Sequence, residues 1–193
     1  MKYTSAKGKS KSVQRTLRAF EEAMFTLLSK KEFEKISVSK ICDYAYYPRA
    51  TFYNYFNDKY DLLDFCWNSI SQNIHLDRFD PTNVKQSFFE VFDQIYELFS
   101  SYQELLVKII KNNPLNSQLV LNFIHHFSKI LEKLLNETLD KQKTKIPIEL
   151  LARQYSNAAI IILSWIFLEG HPTTIDQAHQ YLTILVGINV LPS

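Results

Sequence analysis

Apolar residues recur along this 193-residue chain at helical rather than strand spacing. In "VQRTLRAFEEAMFTLLSKK", Val13, Leu17, Phe20, Met24, Leu27 and Leu28 follow one another at intervals that set them on one stripe of a helix. "SVSKICDYAY" offers Ser37 as an N-cap and gathers Val38, Ile41, Cys42 and Ala45 on one side. "DKYDLLDFCWNSISQNI" does the same with Leu62, Leu63, Cys66, Trp67 and Ile70. Further helices are predicted near 82–100, 102–112, 116–140, 148–169 and 174–188, punctuated by Pro81, Pro114, Pro147 and Pro172. No alternating pattern is long enough to read as a strand, so the pattern predicts an all-α protein.

One segment departs from plain core-forming periodicity. "SVSKICDYA", the turn "YYPR" and "ATFYNYF" make two short helices joined by about four residues, the spacing of a helix-turn-helix over residues 37–56. With about 100° between successive residues, Phe52 and Phe56 fall together toward the preceding helices, and Ala50, Thr51, Asn54 and Tyr55 spread over the other side. A solvated face would favour Lys and Glu over rings, amides and small hydroxyls. This outer face suits a DNA groove: Asn54 to pair with adenine, Tyr55 to meet a thymine methyl, and Arg49 to take guanine or phosphate. Tyr53, at the margin, can rest its ring on protein and extend its hydroxyl to a phosphate. Ser37 and Ser39 would anchor the opposite backbone. At the start of the next helix, the Lys59 ammonium would join free N–H groups on a phosphate.

Charge sharpens that reading. Net charge is only +2, yet residues 1–60 hold 12 Lys and Arg against 6 Asp and Glu while the remainder is net acidic, as expected of an N-terminal part built for a polyanion. Residues 1–12 read as a basic arm that either follows the DNA backbone through Lys2, Lys7, Lys9 and Lys11 or serves as a solubilising tail. The N-terminus has no apolar run behind it, which predicts no secretory leader and a cytoplasmic protein. The longest apolar run, Ala158 to Leu168, interrupted only by Ser164, falls short of the roughly 20 residues a membrane span needs. Cys42 and Cys66 sit within apolar helical patterns and read as reduced core thiols.

Composition also removes whole chemistries. With only three glycines, neither a P-loop nor a dinucleotide-binding glycine motif can be written, and no nucleophile elbow, zinc-binding HExxH or calcium loop is present. Adjacent His125 and His126 diverge by about 100° on a helix and are poorly placed to share a metal. No enzyme, cofactor or metal site is therefore expected. A helical enzyme is disfavoured because no nucleophile–base pair can be assembled.

"FEKISVSKICDYAYYPRATFYNYFNDKYDLL" resembles the DNA-binding segment of the tetracycline-repressor (TetR) family, over about residues 13–65, with "TFYNYFNDK" as its specific core. The resemblance implies DNA contact by Ser37, Ser39, Arg49, Ala50, Thr51, Tyr53, Asn54, Tyr55 and Lys59, with Tyr53 and Lys59 as phosphate clamps. Two positions depart from the family pattern: Tyr46 stands where the turn usually has glycine, and Pro48 where it has a polar cap. Either Tyr46 is strained in a left-handed conformation, at about 1–2 kcal/mol, or the turn is built differently.

The resemblance further implies an N-terminal three-helix helix-turn-helix domain over 13–75 and a C-terminal helical bundle over 76–193 that binds an effector and dimerises. Bulky rings on these helices read singly as core, and as a set they are effector-pocket candidates: Phe92, Tyr96, Phe123, His126, Phe127, Tyr155 and Trp165. "SNAAIIILSWIFLEG" is apolar all round, so one side requires cover from its own domain and the other from a second molecule or another helix. With "QAHQYLTILVGINVL" it resembles the family's four-helix dimer interface, which implies roles for Ile162, Ile166, Leu182 and Leu185. "FNDKYDLLDF" and the "LEG" ending resemble a branch that includes dihydroxyacetone-kinase operon regulators, a resemblance that implies a partner protein instead of a small molecule as an alternative effector. The combined expectation is a homodimeric, cytoplasmic, ligand-responsive repressor on a palindromic operator. The alternative is the same DNA-binding module governed by a protein partner.

Overall fold

The computed structural model describes residues 10–72, 74, 75, 80, 83–138 and 146–187. Lys2, Lys7, Lys9 and Pro81 lie outside the described residues. Among those described, the regular elements are all helical: α1 (Lys11–Leu28), a 3₁₀ turn (Phe33–Lys35), α2 (Val38–Ala45), α3 (Arg49–Tyr55), α4 (Lys59–Ser71), α5 (Val84–Ser101), α6 (Gln103–Asn112), α7 (Gln118–Thr138), α8 (Ile148–Phe167) and α9 (Ile175–Val186). Helix starts follow capping chemistry. Ser37 Oγ accepts from the Lys40 N–H at 3.3 Å, Asp58 Oδ1 accepts from Tyr60 and Asp61 N–H at 2.8 and 2.9 Å, and Thr174 and Gln177 form a capping box.

The helices form two compact units. One takes in α1 to α4 and then, after an excursion of the chain, residues 104–119; the other comprises the described part of 74–103 together with 120–187. In the first unit α1 packs on α2 and α4, and α2 on α3. Its centre is Phe20, fully buried, which meets Phe52 and Phe56 edge-on with ring centroids 5.4 and 6.1 Å apart. Each such ring contributes roughly 1.5–3 kcal/mol by leaving water, so the back of α3 is held firmly.

Residues 104–119 join the first unit through Asn113, whose side chain is buried. Its Oδ1 accepts from the Phe33 N–H at 2.8 Å, and its amide donates to the Ile109 carbonyl at 3.0 Å and the Lys31 carbonyl at 3.4 Å. Asn112 donates to the Ser29 carbonyl at 3.1 Å. A buried asparagine is tolerated there because its polar atoms find partners in the loop after α1.

In the second unit α5 packs on α8 and α9, and α8 on α9. Phe99 lies against Phe123, Phe127 and Phe167 at 5.1, 4.8 and 5.7 Å. α8 is 20 residues long and by length and composition alone is apolar enough to cross a membrane, but 61% of its apolar window is buried inside the unit, as a core helix requires.

Candidate nucleic-acid interface and regulatory site

The turn between α2 and α3 settles how the chain manages without glycine. The Tyr47 N–H donates to the Cys42 carbonyl at 3.1 Å and the Tyr46 N–H to the Asp43 carbonyl at 3.3 Å, the paired bonds of a Schellman termination. Tyr46 takes φ 57° and ψ 36°, the left-handed conformation that side chains resist. Tyr47 turns inward onto Phe20 at 5.5 Å, and Pro48 occupies the N-cap of α3 in an extended conformation.

α3 then divides cleanly. Phe52 and Phe56 are fully buried, whereas Arg49, Ala50, Tyr53 and Asn54 are exposed and Thr51 and Tyr55 half-buried. Ser37 and Ser39 are exposed at the front of α2. Arg49 approaches the Tyr53 hydroxyl at 3.5 Å and lies 6.0 Å from its ring centre, one turn along the same helix. That hydrogen bond pushes the guanidinium pKa further up and pre-sets a cation and a phenol side by side.

Lys59 is the exception to the sequence-based assignment, because its ammonium is turned into the protein. It donates to the Phe33 carbonyl at 2.9 Å and the Glu34 carbonyl at 3.2 Å, stands 3.7 Å from the Glu34 carboxylate, and lies 4.5 Å from the Phe33 ring centre. Only 14% of the side chain is exposed. The Phe33 carbonyl also accepts the Ile36 N–H at 3.0 Å that closes the 3₁₀ turn, and the ammonium shares that oxygen while adding a donor to the Glu34 carbonyl. In this conformation Lys59 ties α4 to that turn, and its charge is not presented as a phosphate clamp.

In the second unit the pocket candidates separate. Phe123 and Phe127 join Phe99 and Phe167, and Tyr96 meets Phe167 at 5.1 Å while donating its hydroxyl to the Thr173 carbonyl at 2.7 Å. His126 lies 5.3 Å from Phe127, Phe92 faces His179 at 6.0 Å, and Tyr155 faces Phe88 at 6.0 Å. Trp165 departs from the set: it faces outward, stacked on His171 at 4.3 Å. Tyr155 is fully buried, its hydroxyl has no hydrogen-bond partner, and burial pushes its pKa up to about 12. The neighbouring Ser156 hydroxyl is equally buried and unpartnered; nothing in the sequence singled it out. Burial likewise raises the pKa of both Cys42 and Cys66, as inert core thiols require.

The residues named for a dimer interface differ in their exposure on the single chain. Ile162, Ile166 and Leu182 are buried within their own chain, whereas Ile161 is 62% and Ile184 74% exposed. Leu185 is exposed as expected. Ile161, Trp165, Tyr181, Ile184 and Leu185 surround an open apolar groove of about 350 Å3, with Ile162 also in its lining. On a helix apolar all round, periodicity carries no phase from which to choose between adjacent isoleucines. Among the described residues no group of three metal-ligating side chains gathers.

A buried-back, polar-front second helix following a tight turn defines a helix-turn-helix DNA-binding protein. Residues 22–65 match the family model of bacterial regulatory proteins, tetR family. Solved structures agree in fold. A protein described as a TetR-family transcriptional regulator from Syntrophomonas wolfei has TM-score 0.68 at 18% identity, covering 93% of this chain and 100% of its own. The dihydroxyacetone kinase operon activator DhaS has TM-score 0.54 at 22% identity over 90% and 95% of the two chains. The transcriptional regulator FadR from Bacillus subtilis, solved with stearoyl-CoA, has TM-score 0.62 at 16% identity over 88% and 97%. No curated protein matches in sequence. Residues 22–65 therefore carry a tetR-family DNA-binding segment, and the fold of the chain is that of TetR-family regulators.

Proposed function

We propose that the protein is a cytoplasmic, homodimeric transcriptional repressor that binds a palindromic DNA operator through α3 and releases it when an effector occupies the second unit. The observation that carries the DNA reading is the division of α3, with two phenylalanines fully buried behind and a guanidinium, a phenol and an amide presented in front. Arg49, Thr51, Asn54 and Tyr55 then read base edges, while Ser37, Ser39 and Tyr53 hold phosphates. Two such helices about 34–36 Å apart would read both halves of a palindrome.

Dimerisation is supported by the apolar groove of α8 and α9, where large side chains stand in water on the isolated chain. The effector reading is supported by Tyr155 and Ser156, because two buried hydroxyls without partners cost free energy that a ligand with matching polar groups would return. Candidate lining rings are Phe92, Tyr96, Phe123 and Phe127, with His126 beside them. Selection of bound fragments from random duplex DNA tests the proposal: a recovered palindrome bound by two chains supports it, and failure to enrich any sequence refutes it.

A further inference from the structure

Tyr46 is anomalous in a way that the fold does not explain. The αL position that closes a Schellman motif ordinarily goes to glycine, or to asparagine, since a larger side chain there strains the backbone. Tyr46 nevertheless adopts φ 57° and ψ 36°. A strained residue is usually compensated by packing, and this one is not. Its side chain is 93% exposed and meets no partner among the described residues, whereas the adjacent Tyr47 supplies the inward contact on Phe20. Local cost without local return marks a residue kept for something outside the chain.

Its position indicates what that is. Tyr46 lies three residues before Arg49, the first residue of the reading helix, so the two Cα atoms are within about 10 Å of each other. The DNA major groove is about 12 Å wide, so a ring projecting from this turn is within reach of a sugar-phosphate wall of the groove that α3 enters. A phenol suits that wall, with an apolar ring for the sugar and a hydroxyl to donate to a phosphate oxygen. Resting on the DNA-binding reading above, we infer that Tyr46 is a further DNA-contact residue, bracing the recognition helix against the backbone beside its groove and contributing affinity without base preference.

The test compares wild type with Tyr46→Asn and Tyr46→Phe, using a duplex selected by the wild-type protein and a random-sequence duplex. Asparagine tolerates the left-handed conformation, so Tyr46→Asn is expected to keep or raise the Tm while weakening both duplexes about five- to tenfold, the size of one lost hydrogen bond with its packing. The slope of log K against log salt should not change, because a neutral side chain releases no counterion. Tyr46→Phe divides the effect: retained affinity assigns it to the ring, lost affinity to the hydroxyl, and either accords with a backbone contact. Unchanged affinity in Tyr46→Asn overturns the inference, and so does a loss accompanied by a fall in Tm, which would make the tyrosine a fold residue. If the wild-type protein binds no DNA, the functional reading itself fails and this inference goes with it.

Discussion

Replacing Lys59 by methionine separates two roles that the sequence alone could not distinguish. Methionine keeps most of the apolar stem and deletes the charge. In the structure that charge serves two carbonyls at 2.9 and 3.2 Å, and the side chain is only 14% exposed. Hydrogen bonds from a charged donor contribute about 1.5–3 kcal/mol each, but water re-entering beside the exposed Glu34 carbonyl would recover part of this. The 3.7 Å ion pair with Glu34, whose side chain is 60% exposed, adds almost nothing in high dielectric, while the ammonium over the Phe33 ring adds about 0.5 kcal/mol. The expected loss is about 2 kcal/mol, or about 1 M in the urea midpoint of the first unit. Trp67 fluorescence in a Trp165→Phe background reports that unit alone, since the chain has two tryptophans and only Trp67 lies in it. The salt dependence of DNA binding should keep its slope, because an inward ammonium displaces no counterion. Loss of a phosphate contact would lower that slope by about 0.9. A slope reduced by that amount with an unmoved urea midpoint would refute the inward role and restore the clamp.

Further outcomes follow from the same geometry. Tyr53→Phe should weaken binding to every sequence by a similar factor, whereas Asn54→Ala should change preference at one base pair by about 1–3 kcal/mol; equal loss of discrimination in both, measured on single-base operator variants, contradicts the assignment. Ile184→Arg should leave helicity intact and yield monomers by light scattering, while Ile162→Arg, buried in its own chain, should unfold the second unit; a dimer of unchanged mass from Ile184→Arg would reject the groove as interface. Tyr155→Phe should be neutral or stabilise by about 1 kcal/mol, since it removes a buried hydroxyl without a partner, and a clear destabilisation would show that the hydroxyl is satisfied. Because burial holds the Tyr155 pKa at about 12, the unfolded chain ionises first, so its contribution is intact below about pH 10 and is lost as pH rises from there toward 12; the slope of stability against pH, measured for wild type and variant, should differ in that window alone.

Local rules carried much of this protein. The three-four spacing of Leu17, Phe20, Met24, Leu27 and Leu28 fixed one face of α1 as core, and Phe52 and Phe56 could go nowhere but inward once α3 was a helix. Ser37 marked a helix start because its hydroxyl reaches an N–H three residues on. These features depend on residues a few positions apart, and sequence spacing is spatial spacing at that range. What escaped depended on partners far along the chain or on phase. Lys59 was drawn inward by carbonyls 25 and 26 residues earlier, and Asn113 by an N–H 80 residues away. On α8 a nearly uniform apolar circumference left Ile161 and Ile162 equivalent until packing by α5 and α9 buried one and exposed the other. The same packing put Trp165 outside and left the Tyr155 and Ser156 hydroxyls sealed without partners. The sequence determined which segments become helices and which faces are greasy or polar; the tertiary structure decided which of two chemically similar neighbours faces water, because that choice belongs to the surface it packs against and not to the residue itself.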